Sequence, residues 1–159
     1  MQSQLQSVEN LPQGIRPRKF VFVLLPKFTL LSFTSALECL RISNRMANQV
    51  LYSWELVSEN GAPIICSAEI EFSIDHDLGE LNRDDTIIVC GGENIRAATT
   101  KRLLSWLRRE SRRGLAIAGL CTGAFPMAKA GLLEGKRATI HWENQDSFAE
   151  EFESVELTK

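Results

Sequence analysis

The sequence predicts an α/β fold: a three-layer sandwich around a mostly parallel sheet. Two observations point there. Short continuous apolar runs, Phe20–Leu25, Ile87–Cys90 and Leu115–Leu120, suit strands covered on both faces, which is the habit of parallel sheets. Between the runs lie stretches of helical period, and strands alternating with helices put a sheet between two helical layers.

Length and composition agree. A chain of 159 residues suits one domain. Apolar residues are 44% and charged residues 24%, which excludes a globally disordered chain. With a net charge of −2 there is no field to attract nucleic acid, so DNA contact by this chain alone is not expected. Phe20–Leu25 is far too short to span a bilayer, and residues 1–19 lack the apolar centre of a signal peptide, so neither a membrane span nor export is expected. Cys39, Cys66, Cys90 and Cys121 form no CxxC pair, which speaks against a zinc site. Each lies in or beside an apolar run, as reduced thiols in a cytoplasmic core would. No cofactor motif is found.

Residues 1–18 read as a flexible N-terminal tail, polar and broken by Pro12, Gly14 and Pro17; residues 19–159 read as the domain. Phe20–Leu25 is the first strand. Residues 29–47 turn helical, with Leu30, Phe33, Leu37 and Leu40 in step and Thr29 as N-cap. Ser53–Ser58 alternates as a strand, Asn60-Gly61 is a turn, and Ile64–Ser67 returns extended. Residues 68–83 are the least legible. After the strand Ile87–Cys90, one helix is expected over Ala97–Arg113, with Leu103, Leu104 and Leu107 inward. Its basic residues, Lys101, Arg102, Arg108, Arg109, Arg112 and Arg113, read as a solvated outer face. Leu115–Leu120 is a strand and Thr122–Ala130 a helix stopped by Gly131. Arg137–Ile140 is a short strand and Glu143–Phe152 a last helix.

The informative segment is Gly114–Phe125. An apolar strand runs straight into Cys121, and Thr122-Gly123-Ala124 opens a helix; Gly119 and Gly123 permit a tight strand-to-helix turn. This is a nucleophile-elbow pattern with cysteine in place of serine, where helix N–H groups favour thiolate. Gly91-Gly92, directly after a strand, offers amides to an oxyanion or carboxylate. His141 follows Cys121 by 20 residues and ends a short strand, a place from which it pairs with a thiol or a polar ligand. His76 reads as a solvated loop residue. Trp142 is the one tryptophan placed near the site, as a face for a cationic group.

This order of strand, Gly-Gly loop, cysteine elbow and histidine resembles the DJ-1/PfpI family of the class I glutamine amidotransferase-like fold, a flavodoxin-like sandwich. Within it, CTGAFPMAKAGLLEGKRATIHW (residues 121–142) and FVLLPKFTLLSFTSALECLRISNR (residues 22–45) are most similar to the N-terminal domains of AraC-type transcription regulators. The resemblance implies an effector-sensing, homo-oligomeric domain whose small ligand is amino-acid-like or a quaternary amine such as arginine, carnitine or glycine betaine. The ligand-binding set would be Gly91, Gly92, Cys121, Thr122, His141 and Trp142. DNA contact would come through a helix-turn-helix module not present in these residues, so the domain is expected to be incomplete at its C-terminus.

The rival implication is a cysteine hydrolase, amidase or glyoxalase-like enzyme with Cys121 as nucleophile and His141 as base. Enzymes of the family carry a carboxylate on the first strand-to-helix turn, beside the thiol. Here Ser32 is the matching position, which weighs against catalysis.

Overall fold

The structure, a computed structural model, describes residues 16–158. Residues 1–15 of the expected tail lie outside the described residues, and Arg18, placed in that tail, instead opens the first strand. The elements are β1 (Arg18–Leu24), α1 (Leu30–Ala47), β2 (Tyr52–Val57), β3 (Ile64–Ile65), β4 (Glu71–Phe72), β5 (Thr86–Cys90), α2 (Ile95–Ala98), α3 (Lys101–Arg112), β6 (Ala116–Leu120), α4 (Ala124–Lys129), β7 (Arg137–Ala138), α5 (Gln145–Glu151) and β8 (Glu156–Leu157).

Four strands form the central sheet in the order β2-β1-β5-β6, all parallel. The chain moves outward from β1 to β2, then crosses back to β5 and β6. The order therefore reverses between β1 and β5, and the loops leaving those strands diverge into a crevice at their carboxyl ends. Alternation along the strands builds two cores. Val21, Val23, Ile87 and Val89 face Leu103, Leu107, Phe125 and Phe148 on one side. Phe22, Leu24, Ile88 and Cys90 face Phe33 and its neighbours on the other. There Phe33 sits edge-on to Phe22, Phe28 and Phe72 with ring centres 5.4, 5.3 and 5.7 Å away.

Several elements depart from the sequence reading. The helix expected over residues 97–113 is two: α2 ends at Ala98, and Thr100 restarts the chain as α3 by accepting the Leu103 N–H at 3.0 Å. The basic face of α3 lies at the surface, as the sequence reading has it, and several of its residues are also paired within the domain. Arg102 pairs with Asp77, Arg109 and Arg113 clasp Glu110, and Arg108 donates to the carbonyls of Lys129 and Ala130. Residues 64–72 form a two-stranded antiparallel hairpin, β3-β4, over α1 and the end of β1. The strand expected over residues 137–140 is only β7, and it pairs with β8 rather than with the central sheet. The helices expected over 122–130 and 143–152 each open with a single 3-10 turn, Cys121–Gly123 and Trp142–Asn144.

Two side chains also differ. Cys39 is exposed on α1, not in a core; Cys66 and Cys90 are buried. Burial pushes the Cys90 thiol far up, so it stays protonated and inert. His76 is anchored rather than loose: its Nε2 lies 2.9 Å from Glu55 Oε2, its Nδ1 lies 2.9 Å from the Asp77 carbonyl, and its backbone bridges to Val57.

Candidate ligand site around Cys121

Three turns at the carboxyl ends of β1, β5 and β6 are stitched through Gly91. Its carbonyl accepts the Thr29 N–H at 3.0 Å, and its own N–H donates to Leu120 O at 3.3 Å. Two glycines allow this approach. A Cβ on Gly92 would overlap the Lys27 carbonyl oxygen, and one on Gly123 would overlap that of Val89. Any larger residue would force these turns apart.

Cys121 follows directly on β6 with φ 55°, in the left-handed region that β-carbon-bearing residues avoid. Strain held by surrounding bonds is a mark of functional turns. Here the bonds are the Gly91–Leu120 contact and the buried Thr122, whose hydroxyl donates to Gly92 O at 2.8 Å.

The sulfur meets Thr29. Oγ1 lies 3.2 Å from Sγ, and the Thr29 side chain makes no cap bond at the start of α1. Ser32, assigned by sequence to the place beside the thiol, donates instead to the Thr29 carbonyl at 3.0 Å. The group against the sulfur is therefore a threonine hydroxyl. It can donate to a thiolate but is no base at neutral pH.

A cavity of about 800 Å³ opens over this turn. Gly92, Cys121, Thr122 and His141 line it, as do Thr29 and Ser67. Of the sequence-derived set, Gly91 and Trp142 do not. The Gly91 amide is spent within the sheet, as above, and Trp142 is 72% exposed, its ring tilted against that of His141. His141 shares the cavity with Cys121, but no hydrogen bond joins them among the described residues; its Nδ1 is 3.8 Å from Glu143. The buried Gly92 N–H has no acceptor among the described residues, so it is open to a ligand oxygen. The expected help from a helix N-terminus is small, since α4 has only 6 residues after its opening 3-10 turn.

Sequence reasoning missed Glu93, Asn94, Arg96 and Glu143, which also line the cavity. Asn94 has φ 49°, so the turn after Gly92 is a second left-handed one. Glu93 and Glu143 adjoin Gly92 and Trp142 in the sequence; their neighbours were the only signal.

The profile of the DJ-1/PfpI family matches residues 18–156. This chain belongs to the DJ-1/PfpI family. It is 39% identical over 140 residues to the HTH-type transcriptional regulator CdhR of Pseudomonas aeruginosa, a match covering 88% of this chain and 41% of that regulator. It is 33% identical over 147 residues to the HTH-type transcriptional regulator GbdR of the same species, covering 92% and 40%. Its fold superimposes on the crystal structure of an AraC family transcriptional regulator from Pseudomonas putida with a TM-score of 0.75, at 26% identity, over 89% of this chain and 76% of that one. The chain thus spans about two fifths of the length of these two curated regulators.

Proposed function

We propose that this DJ-1/PfpI chain is the effector-sensing domain of a bacterial AraC-family transcriptional regulator, acting in the cytoplasm. It binds a small amino-acid-like or quaternary-amine metabolite in the cavity over Cys121. The observation that supports it most is the extent of the likeness: the match to one HTH-type regulator covers 88% of this chain. DNA contact belongs to a helix-turn-helix module in the whole regulator. The residues here carry a net charge of −2, and Arg102, Arg109 and Arg113 are paired with carboxylates of the domain itself, which leaves no strong field for DNA.

The chemistry of the cavity suits binding. The Gly92 N–H can take a carboxylate oxygen, and Thr122, fixed on the Gly92 carbonyl, holds that turn in place. Cys121 and His141 bound the same space. The enzyme reading has the strained Cys121 in its favour, but a hydroxyl stands where a carboxylate would activate the thiol.

Thermal unfolding with arginine, carnitine, glycine betaine and choline tests the proposal. A ligand of the folded state at a hundred times its Kd adds about 2.7 kcal/mol, a visible rise in the midpoint. Turnover of an amide, aldehyde or isonitrile substrate at about 1 s⁻¹ or faster, lost in Cys121→Ala, would establish the enzyme instead.

A further inference from the structure

We infer that the cavity over Cys121 selects a ligand whose cation is a hydrogen-bond donor, a primary ammonium or guanidinium group, read by Glu93 and Glu143, with its carboxylate on the Gly92 N–H. The inference rests on the reading of this cavity as an effector site and chooses between the two ligand classes left open there.

The charges of the lining decide the first half. Glu93 reaches the cavity from the turn after β5, and Glu143 from the 3-10 turn after His141. Among the described residues the Glu93 carboxylate has no hydrogen bond and no ion pair. The Glu143 carboxylate meets only His141 Nδ1, at 3.8 Å, beyond hydrogen-bonding range. Among the described residues Arg96 is the one lysine or arginine in the lining, and it is committed elsewhere. Its guanidinium is 2.6 Å from Glu151 and lies over the Phe125 ring at 4.9 Å. Two carboxylates in the lining, neither with a lysine or arginine against it, favour a positive group in the cavity and disfavour a phosphate.

The shape of the lining decides the second half. A quaternary ammonium has no N–H and is held by aromatic faces within about 6 Å. Among the described residues no phenylalanine, tyrosine or tryptophan lines the cavity, and Trp142, the residue expected to supply such a face, stands 72% exposed outside it. Carboxylates are the partners of an N–H-bearing cation: an ammonium offers three donors and a guanidinium five in a planar fork. At the other end, the buried Gly92 N–H is unspent while its carbonyl is taken by Thr122. The lining thus supplies both a donor and acceptors, as an ordinary zwitterion requires.

Matched probes test this. Calorimetry on the intact chain compares 4-aminobutyrate with its trimethylammonium analogue, and 4-guanidinobutyrate with 4-ureidobutyrate, which has no cationic group. The protonated member of each pair should bind about tenfold tighter or more, as the loss of a charge-assisted bond requires. Glu93→Gln and Glu143→Gln should each weaken arginine about tenfold while leaving the unliganded melting point in place. A trimethylated probe that binds as tightly as its amine overturns the inference, and so does unchanged arginine affinity in both glutamine variants. Protection of Cys121 from iodoacetamide separates this failure from failure of the effector reading. If glycine betaine or choline protects and arginine does not, the effector site stands and the N–H cation falls. If no probe binds or protects at about 10 mM, both fall.

Discussion

Thr29 stands at the N-cap of α1 but its side chain makes no cap bond. Serine and threonine there normally accept an N–H from the first turn; this one has its hydroxyl 3.2 Å from the Cys121 sulfur, with its backbone N–H fixed on Gly91 O. A donated hydroxyl proton stabilises a thiolate without competing for its proton. Thr29→Val keeps the shape and removes the donor, so alkylation of Cys121 by iodoacetamide at neutral pH should slow about tenfold, with Thr29→Ser near wild type. Peptide-resolved mass spectrometry reads the rate, and exposed Cys39 is the internal standard; equal rates in all three proteins would show an idle hydroxyl. His76 gives a pH-dependent prediction. Burial alone would lower its pKa, but the hydrogen bonds to Glu55 and to the Asp77 carbonyl outweigh burial and leave it raised, with Lys19 nearby opposing. Glu55 in turn faces Lys19, which also pairs with Asp85. A pKa raised in the folded state stabilises fully below the unfolded value of about 6.5 and fades as pH rises through the folded value. The ring is 39% exposed, so the effect is screened to about 1 kcal/mol or less. Urea midpoints should show His76→Gln costing more at pH 6 than at pH 9; equal costs at both would remove the charged pair from the account.

At the scale of elements, α3 shows how a sequence rich in arginine becomes structural. Glu110 is fully buried, with Arg109 and Arg113 each 2.7 Å from its carboxylate. Both arginines continue to the loop before β5, to the carbonyls of Gly79 and Leu81 at 2.9 and 2.8 Å, and Trp106 Nε1 joins at Gly79 O. Removing the carboxylate empties a fully buried site and takes an acceptor from Arg113, 25% exposed, and from Arg109, 48% exposed and so partly screened, so Glu110→Ala should cost about 2 kcal/mol in urea unfolding, and a cost near zero would mean the clasp is ornamental. Nothing in the local pattern marks Glu110 as buried, because a lone glutamate between arginines has the composition of a solvated face. The parallel strands were legible for the opposite reason: burial on both faces writes itself into Phe20–Leu25 and Ile87–Cys90 as unbroken apolar runs. The break at Thr99-Thr100 was not, since Leu103, Leu104 and Leu107 continue a helical period and the decisive event is a side-chain cap. The same division holds at the site. The glycine frame of Cys121 was readable because backbone contact demands it. The approach of Thr29, Glu93 and Glu143 was not, because only the folded sheet brings those turns together.

For the whole molecule the question is where the central sheet ends. The outer edge of β2 is occupied: Asp75 N–H donates to Leu56 O at 2.8 Å, Ser58 N–H to His76 O at 3.4 Å, and Asp75 Oδ2 accepts the Leu56 N–H. The outer edge of β6 has no such cover among the described residues. Ala116, Ala118 and Gly119 are exposed along it, and the strand Ala116–Leu120 contains no lysine or proline to blunt pairing. On α1, Leu31 and Met46 are 75% and 83% exposed, so apolar side chains also face outward there. An unblunted edge of small residues lets a second copy approach closely enough for ladder bonds, and outward apolar groups add area to any such contact. The chain should therefore self-associate. Sedimentation velocity should give a mean coefficient that rises with concentration up to about 100 μM. Ala118→Lys, a charge on an exposed position of the free edge, should return the protein toward the monomer without lowering its melting point, because the site beneath carries no packing to lose. A monomer at every concentration would show that the β6 edge is inert in this domain. Association that survives Ala118→Lys but not Met46→Lys would move the interface to α1.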